Sequence, residues 1–318
     1  MATFCVTGGA GFIGSNLVEA LVARGDRVRV VDNLSTGHIE NLESVAAKIE
    51  LINADICDTT RMRQVFSGVD VVFHEAAIPS VQKSILDPLR SNQANITGTL
   101  SVLVAARDAK VRRVIYAGSS SVYGDTPTLP KAENMPPHPI SPYGIMKWVA
   151  ELYANQFTKL YGLETITLRY FNVFGPRQDP TSEYSGVLSK FITAMLRHEQ
   201  PVIFGDGEQS RDFTFVQNVI DANLLAANTS KGIGEVINVA VGCRYSLNET
   251  LKILNRIFSS DNVARYDAPR EGDIKHSQAD ITRARALLGY EPKYDFEAGL
   301  RRTVEWYRAR ARTMSVKP

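Results

Sequence analysis

Tyr143 and Lys147 stand four residues apart in Ser141-Pro142-Tyr143-Gly144-Ile145-Met146-Lys147. In a helix that spacing puts both side chains on one face. Ser141 suits an N-cap and Pro142 a first helical residue, so the pair would sit beside a helix N-terminus. A phenol ordinarily loses its proton near pH ~10, and an ammonium and a helix N-terminus both favour the phenolate. Reaching neutrality takes about three units, or about 4 kcal/mol of differential stabilisation. A tyrosine tuned in this way can take a proton from an alcohol. Alone, a Tyr and a Lys at this spacing are also what an ordinary helix surface looks like, so the elements around them decide.

The opening stretch is the second chemical signal. Thr7-Gly8-Gly9-Ala10-Gly11-Phe12-Ile13-Gly14 follows an apolar run at 3–6 and leads into residues 15–22, whose apolar spacing is helical. A turn between a strand and a helix gives such glycines their meaning. Gly8 suits the tight turn, Gly11 lets backbone approach a pyrophosphate, and Gly14 lets the helix pack on the strand. The helix N-terminus then presents N–H groups and partial positive charge to phosphates. The next strand, 27–33, places Asp32 roughly 20 residues past the glycines. Its carboxylate can accept from both adenosine ribose hydroxyls and would repel a 2′-phosphate, which favours NAD over NADP. An oxidised nicotinamide would add another positive charge near Tyr143.

Further strand ends carry compatible groups. Leu34-Ser35-Thr36-Gly37 is a turn able to bond the adenosine end. A third strand at 49–53 leads to Asp55, within reach of an adenine amino group, and to Ile56, which would pack on the ring. A fourth at 69–74 runs into Glu75-Ala76-Ala77, where Ala76 and Ala77 are small enough for a cofactor to approach; His74 reads as a structural hydrogen bonder. An amphipathic segment from about 88 to 109 contains Asn95, placed to orient a loop or touch the cofactor. A fifth strand at 111–117 runs into Gly118-Ser119-Ser120-Ser121-Val122-Tyr123-Gly124. Strands alternating with helices imply right-handed βαβ units and a parallel sheet, with ligands beyond its carboxyl edge. One pocket explains all these ends together. Residues 164–170 read as a sixth strand, and 236–240 as a strand returning to the same sheet.

The remaining composition excludes other classes. The 318 residues suit one large α/β unit or two closely packed domains. Lys plus Arg number 36 against 34 Asp plus Glu, without a basic patch of the nucleic-acid kind. Cys5, Cys57 and Cys243 lie far apart, without metal-ligand spacing, as in a reducing cytosol. The first strand begins so near Met1 that no signal peptide is expected, and no run of about 18 apolar residues predicts a membrane span. A cytoplasmic protein is expected.

TGGAGFIG, SSSVYGD, YGIMK and RYFNVFGPR together resemble the extended short-chain dehydrogenase/reductases over nearly the whole chain. Among these the chain is most similar to UDP-hexose 4-epimerases, especially those acting on UDP-N-acetylglucosamine. The resemblance implies a Rossmann-type doubly wound sheet carrying a smaller α/β C-terminal domain. It divides the chain into an NAD-binding part, 1–170 plus about 212–242, and a nucleotide-sugar part, 171–211 and 243–318. It implies that Ser119 is the catalytic hydroxyl, Tyr143 the proton acceptor and Lys147 the ligand of the nicotinamide ribose. It completes the cofactor set with Phe12, Ile13, Asn33, Pro79 and Phe171. On the substrate side it implies Asn172, Arg211 and Arg270 at the diphosphate, Asp273 at a ribose, Val187 and Leu188 along the nucleotide, Val202 and Phe204 near uracil, and Ser121 beside Ser119. A diphosphate calls for cationic partners, and arginine offers a planar fork. Ser277 and Gln178 match enzymes that admit a 2-acetamido group, where enzymes restricted to other hexoses carry a bulky Tyr in the position of Ser277.

The neighbours of Ser119 discriminate among reactions. Related dehydratases carry Thr-Asp-Glu in place of Ser119-Ser120-Ser121, and related decarboxylases keep the last Glu. Serines have no comparable acid–base capacity, which leaves oxidation and re-reduction at C4. The competing readings are another nucleotide-sugar enzyme (uronate epimerase, dehydratase, decarboxylase or reductase) and a non-catalytic dinucleotide sensor. The resemblance also implies a homodimer through 88–109 and 143–161.

Overall fold

The computed structural model describes residues 2–179, 186–269 and 274–315. Its centre is a parallel sheet of seven strands. Six are β1 (Thr3–Thr7), β2 (Arg27–Asp32), β3 (Ile49–Asn53), β4 (Val71–His74), β5 (Arg113–Ser119) and β6 (Glu164–Tyr170). The seventh, Val236–Val239, comes from far along the chain and pairs with β6. Spatially the sheet runs seventh strand, β6, β5, β4, β1, β2, β3, so the order reverses between β1 and β4. Ligands of doubly wound sheets bind beyond the carboxyl edge at such a reversal.

Period-two side-chain alternation explains why the strands read as continuous apolar runs. Phe4, Val6, Val30, Phe73 and Ile115 point into one core, and Cys5, Val31, Val72 and Val114 into another on the opposite face. Helix α1 (Phe12–Ala23) lies in the first core through Leu17, Val18 and Leu21.

The helix carrying the Tyr–Lys pair spans Pro142–Tyr161. It starts as expected: Ser141 Oγ accepts from Gly144 N at 3.1 Å, and Pro142 opens the first turn. It ends at Gly162 with φ +70, the left-handed conformation glycine supplies at C-termini.

The amphipathic segment near 88–109 is less regular than its periodicity suggests. Helix Pro88–Asn92 passes through a π turn, Gln93–Thr97, into helix Gly98–Asp108. Residues 39–48 form 3₁₀ turns that bury Leu42 and Val45.

After β6 the chain forms short ladders. Val173–Phe174 pairs with Thr214–Phe215, Val202–Phe204 with Arg265–Asp267, and Ser210–Arg211 with Tyr245–Ser246. Phe174, Phe213, Phe215, Tyr245, Tyr294 and Phe296 pack as contacting rings beside them. Asp212 ties distant segments together: its buried carboxylate accepts from the backbone N–H groups of Val241, Gly242 and Ala279 at 3.0–3.1 Å. No described helix is long and apolar enough to cross a membrane.

Candidate active site

A cleft of about 1190 Å³ opens along the carboxyl edge of the sheet. Its floor is the Gly-rich turn. Gly8 has φ +69, and a Cβ there would lie 2.6 Å from Ala76 N, so turn and β4 loop meet backbone to backbone. A Cβ on Gly14 would lie 2.2 Å from Gly8 O; its smallness lets α1 start on the turn itself rather than on the strand, as the sequence suggested. Gly11 caps α1 without a side-chain hydrogen bond, so no cap residue competes for the N–H groups of the first turn.

Asp32 ends β2 with both carboxylate oxygens engaged. Oδ2 accepts from Ala10 N at 2.9 Å and Oδ1 from Leu34 N at 2.8 Å. The residue expected to bind ribose thus also fixes the Gly-rich turn, and each oxygen keeps lone-pair capacity for a hydroxyl. Asn33, Ser35, Thr36, Gly37, Asp55 and Ile56 continue this wall, and Phe12, Ile13, Ala76, Ala77 and Pro79 also line the cleft. Asp55 is tied down by Cys57 N at 2.8 Å, which with the Asn33 amide holds its carboxyl below the usual range.

Ser119 and Tyr143 line the same cleft. Ser119 Oγ accepts from Ser121 N at 3.2 Å and from Ser121 Oγ at 2.9 Å. Hydrogen bonding with Ser119 pulls the Tyr143 phenol down, the sense expected of a donor that favours the phenolate. Ser84 Oγ fixes the helix start by accepting from Tyr143 N at 3.0 Å. Lys147 is buried; its Nζ donates to Ala117 O at 2.8 Å and lies 5.9 Å from the Tyr143 ring centroid.

The electrostatics differ from the expectation of a depressed tyrosine. Burial pushes the Tyr143 phenol up to about 12, the Ser119 hydrogen bond pulls it down, and Glu75 pushes it up. Burial also drives Lys147 down to about 8, with Glu75 pulling it back. The protein's own groups leave the phenol protonated, because the ammonium is turned to a carbonyl and desolvation outweighs one serine hydrogen bond.

Three expected cofactor residues do not form the cleft wall. Lys147 lies behind Tyr143. Asn95 sits in the π turn, fully buried, its Oδ1 accepting from Ile78 N at 2.8 Å, so it orients the β4 loop rather than facing the cleft. Phe171 is buried against Tyr123, 6.0 Å between centroids.

Among the expected substrate residues, Ser119, Ser121, Asn172 and Gln178 line the cleft. Asn172 adopts φ +35 and its Nδ2 lies 3.5 Å from Ser277 Oγ, which places the buried Ser277 directly behind it. Val187 and Leu188 begin a helix next to Gly186, which lines the cleft. Val202 and Phe204 sit in their short strand away from the cleft wall, and Arg211 Nη1 donates to the Ser210 and Lys275 carbonyls beside Ile274 of the wall. Arg270 and Asp273 lie outside the described residues.

Sequence reasoning passed over Glu75, Tyr170 and Arg177, which also line the cleft. A carboxylate directly after a parallel strand was the available signal for Glu75. Arg177 closes the RYFNVFGPR motif, but its ion pair with Glu19, at 2.9 Å, reaches across 158 residues and is not readable from that motif.

A seven-stranded doubly wound sheet with a Gly-rich turn at its reversal and a Ser–Tyr–Lys set at the neighbouring strand end defines a protein of the extended short-chain dehydrogenase/reductase kind. A family model described as the NAD dependent epimerase/dehydratase family matches residues 4–240, and the chain belongs to that family. It is 41% identical over 310 residues to a putative UDP-glucose 4-epimerase of Methanocaldococcus jannaschii, covering 97% of this chain and 99% of the relative. The UDP-glucose 4-epimerase of Thermotoga maritima, solved with UDP-glucose, is 42% identical with a TM-score of 0.92, covering 97% of this chain and 99% of that one. The UDP-N-acetylglucosamine 4-epimerase of Methanobrevibacter ruminantium, in complex with UDP-N-acetylmuramic acid, is 42% identical with a TM-score of 0.93 and the same coverage. NAD is the cofactor of the family, and the open glycine cradle, the uncapped helix N-terminus and the Asp32 carboxylate all fit it.

Proposed function

We propose that this protein interconverts the C4 epimers of UDP-hexoses, acting on UDP-N-acetylglucosamine and its galacto epimer and also on UDP-glucose and UDP-galactose. The observation that carries this reading is the single cleft whose wall holds Ser119 and Tyr143 together with the glycine cradle and Asp32. That pair gives the C4 hydroxyl of a sugar a proton acceptor with a hydroxyl relay beside it. Bound NAD supplies the oxidant that takes the C4 hydrogen and returns it, together with the positive charge that the protein's own groups do not provide for Tyr143.

The residues then divide as follows. Gly8, Gly11 and the N-terminus of α1 hold the cofactor diphosphate, and Asp32 its adenosine ribose. Tyr143 receives the C4 proton and returns it after the oxidised sugar has turned over. Asn172, with Arg211 and Arg270, keeps the substrate diphosphate in place during that turn. Ser120 and Ser121 lack the acid–base capacity that loss of water or CO2 would need. The small Ser277 behind Asn172 supports room for a 2-acetamido group.

The test is incubation of purified enzyme with UDP-N-acetylglucosamine and, separately, UDP-glucose, without added reductant, with products resolved by NMR. Conversion of each to its galacto epimer is expected. No conversion of either by enzyme with NAD bound would overturn the reading.

A further inference from the structure

Segment 172–179 joins the two halves of the cleft. Asn172, at its start, is the residue assigned to the substrate diphosphate and lines the cleft. Asp179, at its finish, has Oδ2 3.8 Å from Nε2 of His38, in the loop after β2 that also carries Ser35, Thr36 and Gly37. His38 is itself held to the Gly-rich turn, its backbone N–H donating to Ala10 O at 3.0 Å. Between these points the segment lies against α1. Asn16 Nδ2 donates to Pro176 O at 3.2 Å, and Arg177 Nη2 donates to Glu19 Oε2 at 2.9 Å. Asn16 and Glu19 are three residues apart and so share one face of that helix. Its N-terminus is the end assigned to the cofactor diphosphate.

The backbone of the segment does not hold its shape unaided. Asn172 has φ +35 and Arg177 φ +70, a left-handed conformation that residues other than glycine keep only where their surroundings impose it. Tyr307, on the helix Phe296–Ser315, donates its hydroxyl proton to Gln178 O at 2.6 Å and ties the segment to the C-terminal helix. Asn16 and Glu19 tie it to α1. Glu19 is fixed in turn by Ser44, whose hydroxyl donates to Oε1 at 3.0 Å. The Arg177 side chain is 14% exposed, and its Nη1 is buried without a hydrogen-bond partner among the described residues. Removing the Glu19 carboxylate would therefore leave a largely buried guanidinium uncompensated. Water can reach that charge only if the segment swings away from α1.

We propose that Arg177 is a positioning residue which, paired with Glu19, straps segment 172–179 to α1 and so keeps NAD in the cleft between turnovers. The proposal rests on the epimerase reading, in which one hydride is borrowed from the sugar and returned to it. That exchange demands that nothing leave the cleft while the oxidised sugar turns over. The strap is anchored on the helix that receives the cofactor diphosphate, and it ends beside the loop assigned to the adenosine. Arg177 acts through the segment and not on the reacting atoms.

The test follows release of NAD. Protein loaded with NAD is freed of excess nucleotide, and the NAD still bound is measured over time after acid extraction. In Glu19→Gln the half-life of bound NAD is expected to fall about tenfold, since loss of a holding contact is expressed in the off-rate. Arg177→Gln, which removes the guanidinium rather than stranding it, should shorten the half-life by less. The double variant should release NAD no faster than Glu19→Gln, because both changes break one pair. Unchanged half-lives in both single variants overturn the proposal; a lowered urea midpoint with NAD retained marks a merely structural pair. Additive effects in the double variant overturn it as well, because they give the two residues separate roles. Release is measured without a UDP-sugar. Wild-type enzyme that fails to interconvert UDP-sugars would therefore overturn the epimerase reading, while the half-lives still decide the role of Arg177.

Discussion

The two ends of the cleft are built by different means. The end assigned to NAD comes from short consecutive runs, 8–14, 32–37, 54–57 and 75–80, each beginning at a strand end. Register within one sheet brings them together, and their key contacts are backbone ones: Gly8 against Ala76, Ala10 N on Asp32. The end assigned to the sugar nucleotide gathers Asn172, Gln178, Gly186 and Ile274 from separate stretches of chain. Tertiary clamps hold it, among them Asp212 on three backbone N–H groups and Asn172 with a left-handed φ. The first end is therefore intolerant of an added methyl group, while the second offers side chains that can be exchanged to alter which ligand fits.

Tyr143 sits where the two ends meet, and its loss should have the largest effect. Tyr143→Phe is expected to lower kcat by about 10²–10⁴-fold, the usual worth of a general base, with bound NAD unchanged. Retained turnover would remove the tyrosine from its role. Gly14→Ala attacks the cofactor end alone. Its Cβ would lie 2.2 Å from a backbone carbonyl, and NAD affinity measured by equilibrium dialysis should fall by about a hundredfold, or about 2.7 kcal/mol. Undiminished NAD binding would show that this end has the same tolerance as the other.

His74 gives the cofactor end a pH signature. Its folded pKa lies far below its value in an unfolded chain, so the stability it contributes is present above about 6.5 and lost as pH falls toward about 3. By pH ~5 the loss is about 2 kcal/mol, read as a fall in the urea midpoint that His74→Gln should flatten. An equal pH slope in that variant would place the acid lability elsewhere. The smallest effect belongs to the sugar end. Ser277→Tyr should cut kcat/KM for UDP-N-acetylglucosamine by about tenfold relative to UDP-glucose, a shift of about 1.4 kcal/mol. An unchanged ratio would dissociate Ser277 from the choice of sugar.

The same contrast decided what could be read in the chain. All seven sheet strands were legible from apolar runs bounded by turns, β3 and β6 with the observed limits. The Tyr143–Lys147 spacing and its Ser141 cap were legible because helix geometry is local. The charge balance at Tyr143 was not, because desolvation and the orientation of Lys147 toward Ala117 O are products of packing. Asn95 was legible as a polar residue on a helix, but the π turn that faces it toward Ile78 has no periodicity of its own. Arg211 and Ser277 were reachable through resemblance alone, since their neighbours in space are remote in sequence.

The seventh strand bears on how the molecule is made. Val236–Val239 covers the outer edge of β6, yet it leaves the ribosome only after all the intervening chain has followed Tyr170. In the interval the nascent sheet ends in an uncapped strand, with a row of backbone donors and acceptors open to any other extended chain. Folding is thus completed late, when the returning segment docks, and until then the polypeptide is a substrate for chaperones and a template for aggregation. A truncated message ending after β6 would lose both the covering strand and the helix Val216–Asn228, whose Val219 and Ile220 share one core with Leu17 and Leu21 of α1.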